Sequence, residues 1–223
     1  MNDILIVLMW IFKGEYNMET GKIREYIMVK DSFSHAKLEE VGCYDYHGEL
    51  KYTDEIYNML SSTFKMDSLI TEVSYVIAFD HKKMPKGICK VGQGGLNETP
   101  TPIQPVFTFL LLAGANSFIV AHNHISDMPN ASESDKMISK MMGTLATSFD
   151  MEFIGHMVIN PNGYVIDGGT MDGIVAELDE DGEIVSWDAK EVEYDEAEPI
   201  HVTSENMYEV AKKLRERAER RLK

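Results

Sequence analysis

Cysteine is scarce. Cys43 and Cys89 are the only two, and no Cys-x-x-Cys occurs. That excludes a disulfide framework and a cysteine-based zinc finger, and it suits a reducing cytosol. Positive charge is scarce as well: 21 Lys and Arg face 37 Asp and Glu, a net charge of −16. A protein that grips DNA or RNA phosphate needs clustered Lys and Arg, so direct nucleic-acid binding is not expected. A long apolar run is missing too. Residues 4–12 (ILIVLMWIF) are too few for a bilayer span, which takes about 20. They also lack the positive flank and small-residue cleavage site of a signal peptide, since the first charge is Asp3. They read as an apolar strand, or as residues upstream of a true start at Met18. No membrane association is expected, and the location is read as cytoplasmic.

The 44% hydrophobic and 26% charged fractions over 223 residues are those of a folded globular protein. The acid is unevenly spread. Residues 1–170 carry 21 acids and 13 bases, residues 171–200 carry 12 acids and one base, and residues 201–223 carry 4 acids and 7 bases. Composition therefore places a boundary near Gly168-Gly169. Three parts are expected: an N-terminal extension (1–53), a main domain (54–168), and an acidic hairpin and linker ending in an amphipathic helix (169–223).

Within the main domain the periodicities alternate. Residues 54–64 place Ile56, Met59, Leu60 and Phe64 at helical spacing, with Thr53 and Asp54 as capping types. Residues 73–79 (VSYVIAF) form an apolar, β-branched and aromatic run, a buried strand, and 87–91 is its return after a turn at 81–83. Residues 92–105 read as a loop, and its Gly92, Gly94 and Gly95 lack the Lys-Ser/Thr of a phosphate loop. Residues 106–115 are apolar all round, which predicts a buried helix with Pro105 in its first turn and Gly114 near its end. Residues 117–121 predict another buried strand, 122–131 a polar loop, and 132–149 a helix. The strands 153–159 and 164–166 flank an Asn-Pro-Asn-Gly turn. The order α-β-β-α-β-α-β-β is that of an α/β sandwich. Beyond it, 174–187 reads as a hairpin with an Asp-Gly turn, 191–198 as an acidic linker and 204–222 as a packing or partner helix.

The chemistry gathers at His122-Asn123-His124, followed by Ser132 and Asp135. Residues two apart on a strand project to one face, so both imidazoles can meet one ion. Asp135 lies in the first turn of the next helix. Two His and one carboxylate leave a fourth position for water, the pattern of catalytic rather than structural zinc. Zinc would lower the pKa of that water toward about 7. Ser132-x-x-Asp135 reads equally as a helix capping box.

The run SFIVAHNHISDMPNASESD resembles the signature of the RadC-like proteins, a branch of the JAB/MPN (JAMM) metalloprotease superfamily. That motif is His-x-His-Pro-x(7)-Ser-x-x-Asp, preceded well upstream by a Glu. VFTFLLLAGANSFIVAHNH is similar to the RadC helix-then-strand, and FIGHMVINPNGYVIDGG to its closing hairpin. The resemblance covers residues 54–168. It implies a JAB/MPN-like (cytidine-deaminase-like) mixed β-sheet flanked by helices, with a small acidic C-terminal appendage. It implies Zn2+ held by His122, His124 and Asp135. It assigns Glu72, just before VSYVIAF, as the general base that takes a proton from the water and passes it to the leaving amine. The plain alternative for Glu72 is a solvated residue in a polar turn. Ser132 would donate a hydrogen bond to the oxyanion, its hydroxyl proton staying free beside a capping role. His156 corresponds to the RadC Asp-His position, as a supporter of the metal or as a satisfied core histidine. His35, His47, His81 and His201 read as surface residues, and Asp127 as a solvated loop carboxylate.

Two departures stand out. Ile125 replaces the Pro after the second His, and Pro105 stands where RadC proteins carry a Glu. The resulting expectation is a zinc-dependent hydrolase of peptide, isopeptide or similar amide bonds, acting on a peptide or protein. The alternative is a weak or inactive MPN-type scaffold that works through partners. A DNA-repair or mobile-element role attaches to the RadC name, and the charge balance speaks against direct contact with DNA. A zinc deaminase lacks its Pro-Cys-x-x-Cys here. No signal speaks to oligomeric state.

Overall fold

A computed structural model describes residues 20–47, 50, 52–94, 101–125, 130–179 and 184–188. The chain forms β1 (Thr20–Lys30), β2 (Ala36–His47), α1 (Thr53–Phe64), β3 (Val73–Phe79), β4 (Pro85–Gln93), α2 (Ile103–Ala113), β5 (Ser117–Asn123), α3 (Glu133–Ser148), β6 (Glu152–Asn160), β7 (Gly163–Asp167), β8 (Ile174–Leu178) and β9 (Ile184–Asp188). The strands build one mixed sheet in the order β2-β1-β4-β3-β5-β6-β7-β8-β9. The expected α/β architecture from residue 53 to 167 is present, with boundaries shifted by one to three residues.

Alternation along the central strands sorts the core into two layers. Tyr75, Ile77 and Phe79 of β3, with Ile119 and Ala121 of β5, pack with Ile56, Met59 and Leu60 of α1. Val76, Ala78, Phe118 and Val120 face the other way, toward Val106, Phe109 and Leu110 of α2 and Met142 and Ala146 of α3. α2 is not buried all round: Leu111 and Leu112 are exposed, because one helix on a sheet hides only the stripe that meets it. Gly114 ends α2 at φ 62°, the left-handed turn that favours glycine. Thr53 and Asp54 do not cap α1. Tyr52 is the N-cap without a side-chain bond, and Thr53 and Asp54 instead meet the Tyr164 hydroxyl.

Two stretches outside the expected main domain belong to the same sheet. β1 and β2 form a long antiparallel hairpin, and β1 adds to β4 in parallel through Glu25 opposite Ile88 and Tyr26 opposite Cys89. β8 continues the sheet from β7, and the expected hairpin with β9 is formed. The glycine pair at 168–169 marks a turn within the sheet, not its end. Both glycines have positive φ, and a Cβ on Gly169 would stand 2.5 Å from the Ile154 carbonyl oxygen. The apolar run 4–12, the alternative start at Met18, the linker 191–198, the helix 204–222, Asp127 and His201 lie outside the described residues, as does the His47 side chain. His35 and His81 are exposed, as expected. Among the described residues, no helix is long and apolar enough to cross a membrane.

Candidate metal centre

β5 runs two residues further than expected, through His122 and Asn123. It lies between antiparallel β3 and parallel β6, so His122 is flanked by Ser74 on one side and Val158 on the other. His122 shares the face of Phe118 and Val120 by alternation, which points it under α2 and α3. It is 2% exposed. His124 continues the ladder, its N–H donating to the Ile159 carbonyl at 2.8 Å.

α3 brings in the carboxylate. Ser132 is its N-cap and forms a complete capping box with Asp135. The Asp135 N–H donates to Ser132 Oγ at 3.2 Å, and the Ser132 N–H donates to Asp135 Oδ2 at 2.8 Å. The Ser132 hydroxyl also donates to Oδ2, at 2.6 Å. The expected free hydroxyl proton is therefore not free. A charged acceptor beside the hydroxyl is a stronger partner than water, and it takes the proton.

Capping engages Oδ2, which also faces His124, and leaves Oδ1 turned to His122. His122 Nε2 lies 3.4 Å from Oδ1, and His124 Nε2 lies 3.4 Å from Oδ2. The two Nε2 atoms are 2.8 Å apart. One donor atom from each of His122, His124 and Asp135 falls within 4.8 Å of the others. This donor set fits a divalent cation: two imidazole nitrogens and a carboxylate converge on one point, two of the three residues being buried. His122 is held neutral, its pKa driven well below the usual histidine range by burial and by His156, against the pull of Asp135. Burial works to raise the Asp135 pKa, but hydrogen bonding from His124, the charge of His122 and the Ser132 bonds outweigh it and lower it below the usual carboxylate range. Both shifts favour the protonation states a metal needs.

Glu72 is half-buried at the entry to β3. Ser74 pairs with His122. Glu72 stands two residues before Ser74 in the chain. Its backbone is pinned. The Gly94 N–H donates to the Glu72 carbonyl at 3.0 Å. Asn123, buried between the two histidines, accepts from the Val73 N–H at 2.8 Å and donates to the Thr71 carbonyl at 3.2 Å. One amide thus straddles Glu72. His156 is fully buried and reaches His122: its Nε2 lies 2.8 Å from His122 Nδ1. Sequence reading missed Asn123 and Ser139. The signal for Ser139 was a serine on the buried stripe of α3, four residues after Asp135, where an apolar residue is the rule.

A family profile for the RadC-like JAB domain matches residues 50–166, just over half the chain. The chain belongs to the RadC-like JAB domain family. Similar proteins include a UPF0758 protein of Flavobacterium johnsoniae, 32% identical over 75 residues that make up 34% of this chain and 33% of that one. UPF0758 proteins of Roseiflexus castenholzii and Clostridium beijerinckii are 30% and 27% identical over 101 residues, 45% of this chain and 43–44% of theirs. The matched stretch thus spans a third to under half the length of these relatives. Within the RadC-like domain the profile runs from just before α1 into β7, so it contains every residue of the proposed metal centre.

Proposed function

We propose that this RadC-like JAB domain is a Zn2+-dependent hydrolase of amide bonds, acting on a peptide or protein. The observation that supports it is the convergence of His122, His124 and Asp135 within 4.8 Å at a strand end. A divalent cation bound there by His122, His124 and Asp135 would supply Lewis acidity and lower the pKa of water. Glu72 takes the proton from the attacking water and hands it to the departing nitrogen. His124, with its side chain 17% exposed, forms the solvent-facing side of the centre, while His122 anchors it in the sheet. Ser132 can serve an oxyanion only by releasing Asp135, so we assign it to holding that carboxylate. Ile125, next to His124 in the chain, is 39% exposed and stands in place of the family proline.

Metal analysis of the purified protein is the test. One equivalent of Zn2+ is expected, and His124→Ala should lose it. Glu72→Gln should keep the metal and lose hydrolysis of a generic peptide substrate mixture. A wild-type chain without bound metal would remove the reading. A metal-loaded chain that cleaves nothing would leave a metal-bearing scaffold that works through partners.

A further inference from the structure

The geometry points to His156 and Ser139 as positioning residues that fix the tautomer of His122, leaving its Nε2 bare for a metal. This rests on the metal-centre reading above. The direction of the hydrogen-bond chain is set at its Asp135 end. The Asp135 carbonyl can only accept, and the Ser139 hydroxyl donates to it at 2.9 Å. That uses the single hydroxyl proton. Ser139 Oγ also lies 3.1 Å from His156 Nδ1, so Nδ1 carries the proton and donates. His156 is 0% exposed, and its two ring nitrogens meet a hydroxyl, the Asp135 backbone and another imidazole, with no carboxylate in hydrogen-bond contact with either. A buried imidazolium without an anionic partner is costly, so the ring is neutral and its Nε2 is bare. His156 Nε2 therefore accepts from His122 Nδ1–H across 2.8 Å. With the His122 proton held on Nδ1, the ring nitrogen left to a metal is Nε2, the atom that faces Asp135 and His124.

The chain closes on itself: the backbone of one ligand, Asp135, orients a serine and a histidine that orient another ligand, His122. Turning the Ser139 hydroxyl toward His156 would reverse every step and put a proton on His122 Nε2, which blocks ligation there. The Asp135 carbonyl holds the hydroxyl in the productive sense.

The experiment combines metal affinity with ring protonation. Long-range proton–nitrogen NMR of the metal-free protein should show His122 and His156 both as Nδ1–H tautomers. Zn2+ affinity, measured by chelator competition, should fall about 10- to 100-fold in His156→Leu. His156→Gln, whose amide oxygen can accept from His122 Nδ1–H, should recover most of that loss. Ser139→Ala should show a smaller loss in the same direction. Melting of each metal-free variant controls for folding. An Nε2–H tautomer at His122 overturns the inference, as does undiminished Zn2+ affinity in folded His156→Leu. A wild-type protein that binds no Zn2+ defeats the metal reading instead, while the tautomers still decide the hydrogen-bond chain.

Discussion

Asp135 has two oxygens with different work. Oδ2 closes the capping box with Ser132, and Oδ1 faces His122. The capping and ligand readings of Ser132-x-x-Asp135 are thus one arrangement, because a carboxylate offers more acceptor sites than a cap consumes. Ser132→Ala removes the cap and one donor to Oδ2. We expect a loss of about 1 kcal/mol in denaturant unfolding, the usual worth of an N-cap. An unchanged midpoint would show that the box does not hold the helix start. The two cysteines give a second residue-scale prediction. Cys43 is exposed on β2, whereas Cys89 is buried on β4, its thiol pushed up to about 12 by burial and by Glu25. Reactivity follows the thiolate. At pH 8 a thiol reagent should modify one cysteine in the native protein and the second only after denaturation. Rapid native labelling of both would mean that β4 is open.

At the scale of elements, the β6–β7 hairpin carries the sharpest backbone demand. Gly163 sits at φ 136°, and a Cβ there would lie 2.0 Å from the Ala176 carbonyl oxygen of β8. Gly163→Ala is expected to lower stability by about 1–3 kcal/mol from backbone strain alone. Gly143 in α3 is its counterpart, with the nearest atom to a Cβ at an ordinary 3.7 Å. Gly143→Ala should gain about 0.5–1 kcal/mol, since alanine costs less backbone entropy in a helix. Paired thermal melts check both, and equal shifts would count against the turn geometry. The same contrast explains what the sequence reveals. The strands VSYVIAF and SFIVA are buried on both faces, so their apolar runs are unbroken and legible. β1 and β2 are hidden in the text for the opposite reason. Their deep anchors are few, Ile23 and Tyr46, while Ile27 and Val41 are exposed among charged neighbours, so neither period dominates. His122, His124, Ser132 and Asp135 were legible because their spacing survives folding. Asn123 and Ser139 were not, since their roles depend on backbone groups that only the sheet register and the helix turn bring near.

For the described part of the molecule as a whole, the question is where the folding unit ends. The family segment covers α1 to β7, the seat of the metal centre, but the sheet continues with β1–β2 on one side and β8–β9 on the other. The hairpin β1–β2 is more than an ornament on this account. It covers the edge of β4 over Ile88 and Cys89, both 0% exposed, and it contributes Ile23 and Tyr46 to the layer under α1. Burying a large apolar side chain is worth about 1.5–3 kcal/mol. Losing two such anchors would consume much of the margin of a typical domain, about 5–15 kcal/mol. Removing the hairpin would also leave β4 as an unpaired edge, a template for association. A chain that starts at Leu50 should therefore melt well below the intact protein and self-associate in size-exclusion chromatography. If it stays monodisperse and melts with the intact chain, the hairpin is an appendage and the family segment is the complete folding unit. Metal affinity of the shortened chain separates the two roles. The centre draws its ligands from the end of β5, the residue that follows it and α3, so any fraction that folds should still bind Zn2+.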